Sequence, residues 1–254
     1  MISKNQIKFI QSLHSKKNRD QEELFIIEGV KLVNEFLLTS LFEIHSVYGT
    51  LDFINKNKHI IDKSKTIINE ISEEELKKIS LQSSPNQILA VIKANMPKLN
   101  TVLLNSAINL FLDDIRDPGN LGTIIRIADW FGIKQIICSP TSTELFNPKT
   151  LQASMGAVLR VNVVYMEFDE LKKELKDVSI YGAVLNGQNI YLSALQNGLI
   201  VIGNEANGIS ENTLKQITHP ITIPAATNNG SESLNAANAC GMICSEFFRQ
   251  LNFK

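Results

Sequence analysis

From residue 109 to residue 224 the chain alternates short, almost wholly apolar runs with segments whose apolar positions recur every three or four residues. The runs are NLFLDDI (109–115), KQIICS (134–139), RVNVVY (160–165), SIYGAVL (179–185), LIVIGNE (199–205) and PITIP (220–224). They lack the in-out alternation of a half-exposed strand and read as strands buried on both faces. A mostly parallel sheet flanked by helices is predicted, with ligands gathered at the carboxyl ends of its strands. The first part is built of shorter pieces. Helices are expected at Asn5–Leu13, Gly29–Leu38 and Glu73–Ile79, and strands at Phe25–Ile27, His45–Tyr48 and Ile88–Lys93. Alternation of this kind predicts a small α/β domain. The stretch ANMPKLNTVLLNS (94–106) holds Pro97 and loses periodicity, so it is read as the linker. The division is drawn as 1–96 and 97–254.

Composition narrows the class without choosing a function. A hydrophobic share of 44% and a charged share of 20% in 254 residues fit a globular α/β protein with a real core. A net charge of -1 marks no strongly basic nucleic-acid binder, though a local basic patch is compatible with it. Cys138, Cys240 and Cys244 form no CxxC pair and have no His at ligand spacing, so reduced core thiols are expected, with no zinc and no disulfide. The opening MISKNQIKFIQSLHSKKNRD has no apolar run of signal-peptide type, and no uncharged stretch approaches the ~20 residues of a membrane span. A soluble cytoplasmic protein is expected.

Three stretches carry chemistry. In DDIRDPGNLGTIIRIADWFGI (113–133), Leu121, Ile124, Ile125, Ala128 and Phe131 fall on one helical face, and Thr123, Arg126 and Trp130 on the other. Arg126 is then either a solvated arginine or part of an anion site, for Pro118 stiffens the turn, Gly119 permits unusual backbone angles, and free helix amides begin there. The glycines complete neither GxGxxG nor a P-loop. LIVIGNEANGIS (199–210) runs a buried strand into a polar turn, where Glu205 is a rim residue of a site or a surface carboxylate near a helix cap. ITIPAATNNGSESLNAANACGMICSEFF (221–248) passes through a polar loop into a helix crowded with small residues. Ser233 reads as its N-cap, and Asn235 and Asn238 as amides in need of partners.

In order and spacing, DPGNLGTIIRIADWFG, IVIGNEANGIS and ITIPAATNNGSESLNAANA resemble the three motifs of the SpoU (TrmH-like) family of RNA ribose 2'-O-methyltransferases. SLHSKKNRDQEELFIIEGVKLVNEFL resembles the substrate-binding domain that many members carry, so the likeness spans nearly the whole chain. It implies an α/β catalytic domain of the SPOUT class, tied in a trefoil knot that general topology rules make nearly absent. It also implies S-adenosylmethionine as cofactor, held around Gly203, Ile223 and Leu234, and catalytic positions at Asn120, Arg126, Glu205, Ser233 and Asn235. The partners it implies are structured RNA, rRNA ahead of tRNA, and a second copy of the chain packed along Ala236–Phe248. The loop AATNNGSE is longer than in many relatives and departs from their glycine-methionine pattern.

The implied reaction needs no metal. The family's proposal makes Arg126 the proton acceptor, but a guanidinium holds its proton with a pKa above ~12. An equal alternative has Arg126 clamp the neighbouring phosphate while phosphate, water or Glu205 takes the proton. The basic stretch HSKKNR, with Lys16, Lys17 and Arg19, is read as a loop that grips RNA or merely as a solvated one. From another class, a noncatalytic RNA-binding or ribosome-assembly factor on the same fold is the alternative to the enzyme.

Overall fold

The apolar run at 88–93 becomes an interior strand because both of its faces are covered. The structure, a computed structural model, describes residues 2–226 and 233–253. It divides into Met1–Asn95 with Phe146–Leu159, and Met96–Leu145 with Arg160–Lys254. In the first unit α1 (Lys4–Ser12), α2 (Lys16–Glu22), β1 (Leu24–Glu28), α3 (Val30–Leu37), β2 (Ile44–Gly49) and α4 (Leu51–Lys56) come in order. They are followed by α5 (Lys58–Ser64), β3 (Ile68–Glu70), α6 (Glu73–Ile79) and β4 (Ile88–Lys93). The sheet order is β1-β4-β2-β3, with β4 antiparallel to both its neighbours and β3 parallel to β2. Leu24, Ile26, Leu89 and Val91 pack on Ile10, Leu13, Leu76 and Ile79. On the other face Phe25 stacks on Phe146, 4.3 Å between ring centroids, and meets Phe36 and Phe42 edge-on.

Three expectations change here. HSKKNR is no loop, since Lys16 opens α2 and Arg19 is buried within it. Nη1 of Arg19 donates to the carbonyls of Leu13 and His14, both at 2.8 Å, and so satisfies acceptors left free at the end of α1. Residues 51–70 hold α4, α5 and β3, which the pattern missed because α4 buries only Phe53 and α5 buries nothing. The stretch read as linker ends in a helix, α7 (Thr101–Ser106), whose free amides at Val102 and Leu103 are capped by Asn100.

The second unit continues with β5 (Asn109–Leu112), α8 (Pro118–Trp130) and β6 (Gln135–Cys138). The chain then enters the first unit through α9 (Pro148–Ser154) and returns as β7 (Asn162–Tyr165), α10 (Phe168–Glu174), β8 (Ser179–Asn189) and β9 (Gly198–Ile202). It ends with α11 (Glu211–Leu214), β10 (His219–Thr222) and α12 (Ala236–Asn252). All six expected strands are present, every pairing is parallel, and the order is β10-β8-β9-β5-β6-β7. Phe111, Ile137, Val164, Ile180, Leu199 and Val201 line one face with Leu104, Phe168 and Leu171, and α8 packs against α12. The chain builds outward from β5 to β7 and then fills the opposite side, so the order reverses between β5 and β9. A crevice is expected outside the carboxyl ends of those two strands.

Candidate active site

The loops leaving β5, β6 and β9 interlock at this switch point. Asp113 Oδ2 accepts from the Ser210 amide at 2.9 Å, and Asn204 Nδ2 donates to the Asp114 carbonyl at 2.7 Å. The Asp114 and Ile115 amides donate to the hydroxyls of Ser139 and Ser142. Asn204 Oδ1 also accepts from the amides of Ala206 and Asn207, and Asn204 pairs with Gly208 through both backbone groups. This hairpin is so tight that a Cβ on Gly203 would sit 2.3 Å from the Gly208 carbonyl carbon and the Ile209 nitrogen. Asp113, Asp114, Ser139, Ser142 and Asn204 were not singled out by the sequence reading. Their only sequence signal is a small or acidic polar residue directly after a buried strand.

The DPGN segment is the first turn of α8. Asp117 is the N-cap, its Oδ1 accepting from the Asn120 amide at 2.8 Å, and Pro118 stands where no amide is needed. Two expectations are corrected. Gly119 has no positive φ; that conformation belongs to Asp114, at 59°. What the glycine gives is room, since its Cβ would lie 2.9 Å from the capping carboxylate. The Asn120 amide, expected to be open to an anion, is occupied by Asp117.

At the start of the last helix, the N-cap of α12 is Asn235 and not Ser233. Asn235 Oδ1 accepts from Ala237 and Asn238 at 3.0 and 3.2 Å, which leaves its Nδ2 to donate outward. It donates to Asn120 Oδ1 at 2.9 Å, and Asn120 Nδ2 in turn donates to Glu205 Oε1. The helix amides thereby fix which way each side-chain amide points, and the path ends on a carboxylate that accepts. Asn235, Asn120 and Glu205, one from each motif, are thus joined. Arg126 lies about 9 Å further along the axis of α8, exposed, and it has no hydrogen bond or ion pair among the described residues. Ser233 is exposed and Asn238 contributes only its backbone amide to the cap. Gly203 follows β9 and Ile223 follows β10, both at the carboxyl edge of one sheet, while Leu234, 46% exposed, precedes α12. Residues 227–232, most of the loop AATNNGSE, lie outside the described residues.

Residues 107–245 match the family model of the SpoU rRNA Methylase family, and residues 4–90 match that of the MRM3-like substrate binding domain. The chain belongs to the SpoU rRNA methylase family. Across 95% of both chains it is 30% identical to the 23S rRNA (guanosine(2553)-2'-O)-methyltransferase RlmP of Bacillus subtilis. A TrmH-family protein of Porphyromonas gingivalis has the same fold with a TM-score of 0.85 and 35% identity, covering 98% of this chain and 99% of that one. The SpoU methyltransferase AviRb of Streptomyces viridochromogenes, solved with the cofactor AdoMet, superposes with a TM-score of 0.84 over 98% of both chains. Its 20% identity makes it a likeness of fold alone. For this SpoU protein the α/β class and the SPOUT architecture with an N-terminal domain are those expected, and the knot comes with the family. Among the described residues no group of His, Cys, Asp or Glu is placed to hold a metal, and no helix is long and apolar enough to cross a membrane. All three cysteines are buried.

Proposed function

We propose that the chain transfers the methyl group of S-adenosylmethionine to the 2'-oxygen of a ribose in ribosomal RNA. The observation that carries this reading is the hydrogen-bonded path from Asn235 through Asn120 to Glu205, which ties the three motifs together where the strand order reverses. The residues at the sheet edge fit the cofactor: the backbone at Gly203 and Ile223 would hold it, and the apolar, half-exposed Leu234 would offer it an apolar surface. When bound, it supplies an electrophilic methyl on sulfur. The protein's part is alignment, which is worth roughly 7–11 kcal/mol in favourable intramolecular cases, together with removal of the hydroxyl proton. Arg126, exposed and free of partners among the described residues, is suited to hold the phosphate next to the target ribose and lower the pKa of its hydroxyl. The proton passes to phosphate, water or Glu205. Ser233, exposed two residues before the Asn235 cap, completes the proposed set.

The unit that holds Lys16 and Lys17 is the RNA-binding part of this reading, with both ammonium groups on the exposed side of α2. Arg19 serves there as a brace for the fold. We also propose a homodimer. Ala237, Gly241 and Ser245 recur every four residues along α12 and line an open groove of about 430 Å³ with Tyr191 and Met242, both near half exposed. We assign the reaction to the cytoplasm, where ribosomes are and where the three thiols stay reduced.

The test is incubation of the full-length protein with unmodified ribosomal RNA and S-adenosylmethionine, followed by alkaline hydrolysis. One resistant linkage is expected, because the methylated oxygen no longer attacks the adjoining phosphate. A methylated base with an ordinary ladder overturns the reading. A monomer by light scattering at micromolar concentration overturns the dimer.

A further inference from the structure

Trp130, the chain's single tryptophan, ends α8 with 83% of its surface exposed. Aromatic side chains of this size are usually well covered, and on the same helix Leu121, Ile124 and Ile125 are wholly buried and Ile127 partly so. Trp130 stands instead on the outer face with Thr123 and Arg126, within about 60° of arc at 100° per residue. Arg126 and Trp130 are four residues apart, so their side chains are neighbours on one face, about 6 Å apart along the axis. The acidic residue that precedes Trp130 in the chain does not oppose an incoming phosphate. Asp129 accepts from Arg160 Nε at 2.8 Å and is neutralised by that ion pair.

A planar cation beside a bare indole, with the partly buried Ile127 next to them packed toward Gly241 of α12, matches the repeat of a nucleic-acid strand: phosphate to guanidinium, base to aromatic ring. We infer that Trp130 is the stacking platform for a base adjoining the methylated ribose, and that the enzyme thereby selects a nucleotide whose neighbour is unstacked. The inference rests on the reading that the chain methylates RNA. It makes Trp130 a specificity residue. A base can lie flat on the indole only when it has left its helical stack, so a loop is accepted and a continuous duplex is refused.

Because Trp130 is the only tryptophan, its emission reports this contact without any turnover. The full-length protein is titrated with an oligoadenylate strand and, separately, with the same strand paired to its complement, while labelled-RNA anisotropy follows binding. Saturable quenching and protection from acrylamide are expected with the single strand, with a much smaller change for the duplex. Trp130→Ala should weaken single-strand binding from about five-fold to over a hundred-fold, with Trp130→Phe recovering most of it and cofactor affinity within two-fold of the parent. Binding of the single strand with unchanged emission, and with equal affinity in Trp130→Ala, overturns the inference while leaving the methyltransferase reading intact. So does a blue shift that grows with protein concentration before RNA is added, since a second copy then covers the indole. No binding of either RNA overturns the inference together with the RNA reading.

Discussion

Asn120 both donates and accepts through one side-chain amide, and each of its partners is supplied by a different motif. Replacing it with alanine removes both bonds, leaving Glu205 and Asn235 without their shared partner. Asn120→Ala should therefore lower turnover by at least ten-fold while costing only about 1–2 kcal/mol of stability, as measured by single-turnover methylation and chemical denaturation. Arg126 is the opposite case. It has no partner among the described residues to lose, so Arg126→Ala should fold as the parent does and bind S-adenosylmethionine within a few-fold, yet abolish methyl transfer. Loss of cofactor affinity in a folded Arg126→Ala protein, read by calorimetry, contradicts the role given to it. Sequence placed Arg126 on the outer face of its helix because apolar spacing alone decides that. It could not tell that Asn235 rather than Ser233 caps α12, for both residue types cap well and the choice depends on where the chain enters the helix.

At the scale of elements, the strands of the second unit were legible because a buried parallel strand needs an unbroken apolar run, and each run carried a polar turn after it. The short helices α4 and α5 were not, since a helix that buries one side chain or none leaves no stripe to read. No pattern of residue types contains a knot. The turn after β9 tests how tightly these elements are drawn together. Gly203→Ala forces a Cβ into the backbone of Gly208 and Ile209, and overpacking of this kind costs about 1–3 kcal/mol or more, so a lower Tm and lost cofactor binding are expected together. Helix α12 carries a pH signature of its own. Glu246 accepts two bonds from Arg249, at 2.8 and 2.7 Å, and one from Gln250, and these hold its carboxyl down at about 2. A depressed carboxylate stabilises the fold fully above its unfolded value of about 4.3, and that stability is lost as pH falls toward 2. Glu246→Gln should be less stable than the parent at neutral pH, with the difference shrinking between about pH 5 and pH 2 in denaturation midpoints.

For the whole molecule, a net charge of -1 means that attraction to RNA has to be local. Lys17 and Lys16 are both exposed on α2, but Lys16 already bonds Asp20 at 2.8 Å. Each phosphate contact contributes roughly 0.7–0.9 to the slope of log affinity against log salt. Lys17→Ala should lower that slope by nearly one in RNA titrations, and Lys16→Ala by less. Equal slopes in both variants and the parent would remove α2 from the RNA-binding surface. Reading the chain linearly gave a first domain that stopped at 96, because nothing in the apolar pattern marks residues 146–159 as belonging to an earlier fold.

That return visit sets a timetable. Phe146, which stacks on Phe25, is synthesised 51 residues after Asn95, the last residue of the first stretch. At about 5–20 residues per second, the early part of the chain waits roughly three to ten seconds outside the ribosome with one aromatic face uncovered. Its maturation is therefore coupled to the making of the catalytic half, and a message truncated near codon 96 would release a sticky intermediate instead of a spare domain.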